Sequence, residues 1–373
     1  MMHRKILIVS VAFVMFLLSS CIKDEPLNME ADITAVYLEN GNLITEPLVT
    51  NNTITIYVKP KGVSDPDYKL KFDLTSGATI AANVDPSQNS ANSLSYTVTS
   101  QNKQFQKKYM VSIIEVTDGF VPSKFDFENF RTDETNKYHK FFDIVNNNSF
   151  DNWSSGNPGF AISLFGDKNP EMYPTRATDK SRSGKSAALL ETKSTGPFGA
   201  MFGKPIAAGN LFIGAFDVTM ALASPLKATR FGLPYNEVPK TFEGYYRYIP
   251  GKQLINSASK PVEGEDECTI YAVFYNIDDL MKETQKSYLS GENIWTSKSV
   301  VATAKLENGK ATTGEGFAKF SIPFKYTKDV NIADVKKLKY GIAIVMSASK
   351  GGDIFQGAIG STLIVDDVQI ITK

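Results

Sequence analysis

The sequence predicts an all-β protein made of two β-sandwiches in series, the second a jelly roll. Three observations predict it. Short runs of alternating apolar and polar residues recur along nearly the whole chain behind residue 28. Clusters of Gly, Pro, Asn and Asp break those runs at short intervals, and few stretches keep a helical period. At 373 residues the chain is long enough for two cores, since single domains usually hold about 100–200 residues.

The first segment is an address and not a fold element. Arg4-Lys5 precedes an apolar run from Ile6 to Leu18, shorter than the roughly 20 residues that span a bilayer, and small residues then lead to Cys21. Residues 1–20 therefore read as a secretion signal. The Leu18-Ser19-Ser20-Cys21 tetrad resembles the lipobox of bacterial lipoproteins. That resemblance implies cleavage before Cys21, lipidation of its thiol and a tether over residues 21–28. Asp24 and Glu25 resemble the surface-export signals of Bacteroidetes lipoproteins, which implies a lipid anchor in the outer membrane and display at the cell surface. A non-lipid signal, an uncleaved anchor helix and a periplasmic orientation are the alternatives.

Residues 29–118 form the first expected sandwich. Thr53-Ile54-Thr55-Ile56-Tyr57-Val58, Lys69-Leu70-Lys71-Phe72-Asp73-Leu74, Leu94-Ser95-Tyr96-Thr97-Val98 and Tyr109-Met110-Val111-Ser112-Ile113-Ile114 each offer one face to a core, as antiparallel strands do. Gly77 to Ile80 followed by Tyr96 to Val98 resembles the immunoglobulin-like modules that often follow a lipoprotein tether. The resemblance implies a spacer.

The boundary falls at Thr117-Asp118-Gly119-Phe120-Val121-Pro122, and residues 119–373 form the second domain. Phe125-Asp126-Phe127-Glu128 opens it and Leu363-Ile364-Val365-Asp366-Asp367-Val368 closes it, with strand-like runs at Ala187–Thr192, Leu211–Asp217, Phe317–Ile322 and Tyr340–Val345 between. Helical periodicity is confined to Asp278–Tyr288 and a turn near Ile332–Leu338. Gly184 to Thr192 and Val365 to Val368 are similar to strands of jelly-roll carbohydrate-binding modules. Residues 125–373 resemble the putative carbohydrate metabolism domain of Bacteroidetes lipoproteins. The segments that carry this are Trp153–Asn157, Ala207–Phe212, Phe231–Tyr235, Gly244–Gly251 and Ser347–Asp353, in that order. The resemblance implies a jelly-roll fold and a role in carbohydrate metabolism.

Composition excludes several chemistries. Losing Arg4 and Lys5 with the signal lowers the basic residues from 40 to 38 against 40 acids, and no basic run marks a nucleic-acid surface. With Cys21 assigned to lipid, Cys268 has no disulfide partner, and its alternating apolar surroundings read as a buried small hydrophobe. His139 is the one histidine behind the signal, so zinc sites built on several His or Cys ligands cannot be assembled; it reads as an ordinary hydrogen-bonded residue. The Arg182-Ser183-Gly184-Lys185-Ser186 segment lacks the first glycine of a phosphate loop, because Asp179 stands there, and nucleotide binding is rejected.

What remains suits sugars, whose C–H faces stack on aromatic rings while their hydroxyls need paired donors and acceptors. Trp153, Arg230, Tyr235, Lys240 and Tyr246 are the expected ligand residues; they sit in loop-like or turn-rich segments where aromatic and charged side chains gather. Trp153 reads equally as a plug over the sandwich edge, and Trp295 reads as core. On the Tyr245-Tyr246-Arg247-Tyr248 strand, one of the alternating pairs belongs to the core. A glycoside hydrolase would need two carboxyl groups, for which Asp217, Glu243, Asp266 and Glu267 are the candidates. Glu128, Asp366 and Asp367 are weak candidates for structural calcium; adjacent strand residues such as the two aspartates are expected on opposite faces. No other cofactor is expected. The expected function is extracellular glycan binding in carbohydrate uptake, alongside outer-membrane uptake machinery. The alternatives are a glycoside hydrolase and an adhesin-like structural protein.

Overall fold

A computed structural model describes residues 26–49, 52–60, 67–83, 93–116 and 119–373. The signal segment, Cys21 and the Thr117-Asp118 boundary lie outside the described residues.

The N-terminal unit is a small β-sandwich. One sheet runs in the order Leu48–Val49, Thr53–Val58, Gln106–Glu115, Ser93–Thr99, Thr79–Ala82; the other pairs Ile33–Leu38 with Leu70–Leu74. Their alternating residues meet in a core of Ile33, Val36, Ile54, Ile56, Val58, Val98, Val111 and Ile113. An antiparallel arrangement is expected throughout, but Thr53–Val58 pairs with Gln106–Glu115 in parallel. Between these strands the chain crosses to the other sheet at Leu70–Leu74 and returns through Thr79–Ala82. A crossover of that length frees the pair from hairpin geometry.

Tyr57 leaves this sheet and enters the second unit's core. Its ring stacks on Phe120 at 4.3 Å between centroids and lies 6.1 Å from Phe150. The Tyr57 hydroxyl is buried there without a hydrogen-bond partner among the described residues. An unmade buried hydrogen bond costs about 1–3 kcal/mol, so Tyr57→Phe is expected to raise stability by about 1 kcal/mol. A urea midpoint unchanged or lowered by this substitution would show that the hydroxyl is satisfied.

The second unit consists of two antiparallel sheets packed face to face, the double-sheet architecture expected of a jelly roll. The six-stranded sheet runs Thr175–Thr178, Ala187–Glu191, Thr362–Thr372, Pro239–Ile249, Ala318–Pro323, with Lys124–Phe125 also paired to Thr362–Thr372. The eight-stranded sheet runs Trp153–Ser154, Asn210–Phe216, Tyr340–Ser347, Thr269–Asn276, Val300–Lys305, Lys325–Tyr326; Thr229–Phe231 and Leu233–Pro234 are added beside Asn210–Phe216 and Tyr340–Ser347. Leu190, Phe242, Tyr248 and Val365 of the first sheet meet Ile213, Ile270, Phe274 and Ile344 of the second.

The eight-stranded sheet is apolar on both faces. Along Thr269–Asn276, Ile270, Ala272 and Phe274 face the sandwich interior, while Tyr271, Val273 and Tyr275 face outward into a second cluster with Leu280, Leu289 and Ile294. That cover is the helix Ile277–Thr284 and the segment after it. The helix begins where the Asn276 side chain accepts the Asp279 N–H and ends at Gln285, whose φ of 60° is left-handed, so it is shorter than the periodicity suggests. The expected turn near Ile332 is the helix Ile332–Lys336, capped by Asn331. Tyr275 fits only because two strands approach it with glycine: a Cβ at Gly232 or Gly341 would collide with its ring.

Candidate functional site

Beyond the Ile277–Thr284 cover, part of the outer face of the eight-stranded sheet stays open and forms a cleft of about 290 Å³. Phe212, Phe216, Phe231, Tyr271 and Val345 lie along its floor, all but Phe216 buried. Loops carrying Ile162, Phe198, Leu222, Trp295 and Phe355 line it further. The apolar floor follows from the sheet's two-sided apolar pattern: residues that would face water on an ordinary antiparallel sheet here face either the helix or the cleft.

Trp295 is the most exposed aromatic residue of the lining. A turn holds it there: Asn293 Oδ1 accepts the Ser290 N–H at 2.7 Å, and the Gly291 N–H donates to the Leu226 carbonyl at 2.8 Å. Ile294 is buried beneath, which leaves the next side chain outside, and Trp295 is 48% exposed. Its ring leans on Tyr271 at 4.6 Å between centroids, and Lys305 Nζ lies 4.5 Å from its centre. Tyr271 and Lys305 are cross-strand partners, so the sheet register fixes both. Trp295 was expected in the core. Its neighbours alternate in polarity as a strand's do, but they form a turn.

None of the nine carboxylate and ligand residues expected from the sequence lines the cleft. Trp153 is the edge plug: it is 5% exposed, packs edge-on to Phe125 and Phe127, and donates from Nε1 to Asp143 Oδ1 at 3.2 Å. Tyr235 is buried with its hydroxyl 2.8 Å from Ser123 Oγ, and Tyr246 and Tyr248 are the inward pair of their strand. These aromatics are framework because the sandwich interior, not the solvent, receives their faces. Arg230 is paired with Asp217 at 2.6 Å, and Lys240 is exposed at the start of the Pro239–Ile249 strand. The five do not converge on one surface.

The carboxylate candidates are equally dispersed. Glu243 lies on the six-stranded sheet beside Ser321, Gln369 and Lys319. The Ser321 hydrogen bond in particular holds its carboxyl below the usual range, the reverse of what a general acid needs. Asp266 is buried and accepts from Ser349, Ala358 and Ser361, and Glu267 pairs with Lys350 at 3.1 Å. Among the described residues the single carboxylate lining the cleft is Asp353, which sequence reasoning did not single out.

The calcium candidates bind protein groups. Glu128 accepts the N–H groups of Lys185 and Ser186, Asp366 those of Arg182 and Ser183, while Asp367 takes the Arg182 guanidinium and the Ser183 hydroxyl. Both aspartates reach the same loop despite being adjacent in a strand. The register against Pro239–Ile249 shifts here and Asp367 has φ 47°, a bulge that cancels the expected alternation.

Cys268 is buried, and His139 is hydrogen-bonded to the backbone. Burial pushes the Cys268 thiol up to about 12. His139 Nδ1 accepts the Ala177 N–H at 3.0 Å, and burial lowers its pKa.

Asp143, behind Trp153, is a pH-dependent element. Burial raises its carboxyl to about 7, above the ordinary unfolded value of about 3.9. The native state therefore holds this proton longer than the unfolded state. Its contribution to stability is full below about pH 4 and is lost as pH rises through about 7. Compared with Asp143→Asn, the wild-type protein is expected to lose stability across pH 4–7, measured as urea midpoints at several pH values. Parallel curves would refute the raised value.

Residues 126–371 match the family described as the putative carbohydrate metabolism domain. The crystal structure of a putative glycoside hydrolase from Bacteroides thetaiotaomicron is 37% identical, with a TM-score of 0.79 over 94% of this chain and 99% of that one. A second putative glycoside hydrolase, from Bacteroides vulgatus, is 35% identical, with a TM-score of 0.62 over 69% of this chain and all of that one. No curated protein matches. The family match spans every residue lining the cleft, and the chain belongs to the putative carbohydrate metabolism domain family.

Proposed function

We propose that this protein is a cell-surface lipoprotein, anchored through Cys21 and raised on an immunoglobulin-like spacer, that binds an extracellular glycan in the cleft over the eight-stranded sheet as part of carbohydrate uptake. The exposed Trp295, set beside an aromatic floor in a member of a carbohydrate family, carries this reading. Rings of this kind stack on sugar C–H faces, and Thr269 adds a hydroxyl to the lining, whereas those of Thr229 and Ser347 donate to the Leu226 and Ser349 carbonyls.

Hydrolysis is the second reading, favoured by the descriptions of the two solved relatives. Both retaining and inverting mechanisms employ a pair of carboxyl groups. Asp353 is the one carboxylate lining this cleft among the described residues, and in the adjoining pocket Glu267 and Glu307 are engaged by Lys350 and Lys325. That arrangement supports retention of the glycan over cleavage. The test is a glycan array probed with the full chain in a detergent lacking a sugar headgroup, followed by product analysis on each hit. Binding with no new reducing ends is the expected outcome. Cleaved product would establish the hydrolase, and an array without hits would overturn both readings.

A further inference from the structure

Positive charge in the cleft exceeds negative. Lys204, Lys305 and Lys350 line it against the single carboxylate of Asp353. Lys350 is committed to Glu267 at 3.1 Å. Lys204 and Lys305 have no carboxylate partner within 4 Å among the described residues. Their ammonium groups instead lie over aromatic rings, Lys204 at 5.3 Å from the Phe355 centroid and Lys305 at 4.5 Å from that of Trp295. Lys204 Nζ has one further contact, the Phe202 carbonyl at 3.5 Å. A ring face attracts a cation without neutralising it, so both charges remain available to an anion.

Their backbones are fixed although their side chains are long. Lys305 is held by the sheet opposite Tyr271, and the Lys204 N–H donates to the Gly199 carbonyl at 2.9 Å. Two unneutralised ammonium groups thus stand at the sides of a stacking platform whose floor is uncharged. A neutral sugar would gain little from this placement, because an ammonium group loses hydration when it is covered by hydroxyls alone. An anionic substituent on a stacked sugar would meet a charge-assisted hydrogen bond instead.

Resting on the glycan-binding reading, we propose that the cleft selects acidic glycans, whose sugars carry carboxylate or sulfate groups, with Lys305 and Lys204 receiving the anions while Trp295 stacks on a ring. Asp353 limits the density of negative charge that the cleft accepts. Its neutralisation strengthens binding of the acidic ligand.

The experiment uses the full chain and matched oligosaccharide pairs: a uronate oligomer with its carboxyl-reduced counterpart, and a sulfated oligomer with its desulfated counterpart. Titration calorimetry is run at low and at about 0.15 M salt, where screening acts over roughly 8 Å. At least one acidic ligand is expected to bind about tenfold more tightly than its neutral counterpart, as a charged hydrogen bond allows, with the advantage shrinking as salt rises. The pair that shows the preference identifies carboxylate or sulfate as the group read. In the double variant Lys204→Gln, Lys305→Gln the preference falls toward parity, and in Asp353→Asn it grows. Thermal unfolding checks that each variant is folded. Equal or tighter binding of the neutral members overturns the acidic assignment and leaves glycan binding intact. A preference that survives in the folded double variant, or is indifferent to salt, also overturns it. Failure of every sugar to bind overturns the glycan reading itself.

Discussion

Trp295→Ala is expected to weaken glycan binding by about thirtyfold, the equivalent of roughly 2 kcal/mol for an aromatic anchor at the centre of a contact. The indole is the one large aromatic surface of the lining left substantially open to solvent, whereas Phe212, Phe231 and Tyr271 beneath it are already buried by neighbours. Binding can therefore cover new aromatic area mainly at this residue. The same exposure makes the substitution mild for the fold, with a stability loss of about 1 kcal/mol or less, since the turn is held by Asn293, Gly291 and the buried Ile294. Trp295→Phe keeps a ring of smaller area and should lie between the two. Calorimetric titration beside a urea melt separates binding from folding. Wild-type affinity in the alanine variant would remove the cleft as the binding site.

Asp266→Ala is expected to cost about 3 kcal/mol or more of stability, since each buried donor left without its acceptor costs about 1–3 kcal/mol. Asp266 Oδ2 accepts from Ser349 Oγ at 2.6 Å, Ser361 Oγ at 2.7 Å and the Ala358 N–H at 2.7 Å. Its Oδ1 accepts the Glu267 N–H at 2.9 Å. One carboxylate thereby ties the entry to strand Thr269–Asn276, the exit of Tyr340–Ser347 and the approach to Thr362–Thr372. Alanine leaves two hydroxyls and two N–H groups without that acceptor in a site only 3% exposed. Asparagine keeps one oxygen but turns an amide NH2 toward donors, so it should cost less than alanine and more than nothing. Denaturant titration decides the matter. An alanine variant as stable as the parent would exclude the structural role and return Asp266 to the catalytic candidates.

Fold class was legible because strand periodicity is local. Each residue of Thr53–Val58 or Tyr109–Ile114 already declares which face it presents, and two faces suffice to place it in a sandwich. Cys268 and His139 were readable for the same reason: their neighbours supplied their environment. The cleft was not, because strands such as Thr269–Asn276 are apolar on both sides, and sequence does not say where the helix covering one side stops. On this account Trp295 left the core it was expected in, while Trp153 took the plug position that was one of its two readings. Trp153 follows a polar stretch but inserts against Phe125 and Phe127, whereas Trp295 mimics a strand residue but projects from a turn. The bulge at Asp366-Asp367 defeated a correct rule, since alternation holds only while the register does.

The stack of Tyr57 on Phe120 and Phe150 bears on how the molecule can be divided. A fragment beginning at Gly119 would carry Phe120 and Phe150 without the ring that shields them, leaving an adhesive apolar spot on its surface. The N-terminal sandwich is in this respect a stopper for the second unit's core. Separating the halves by proteolysis would uncover that spot and favour self-association of the C-terminal piece.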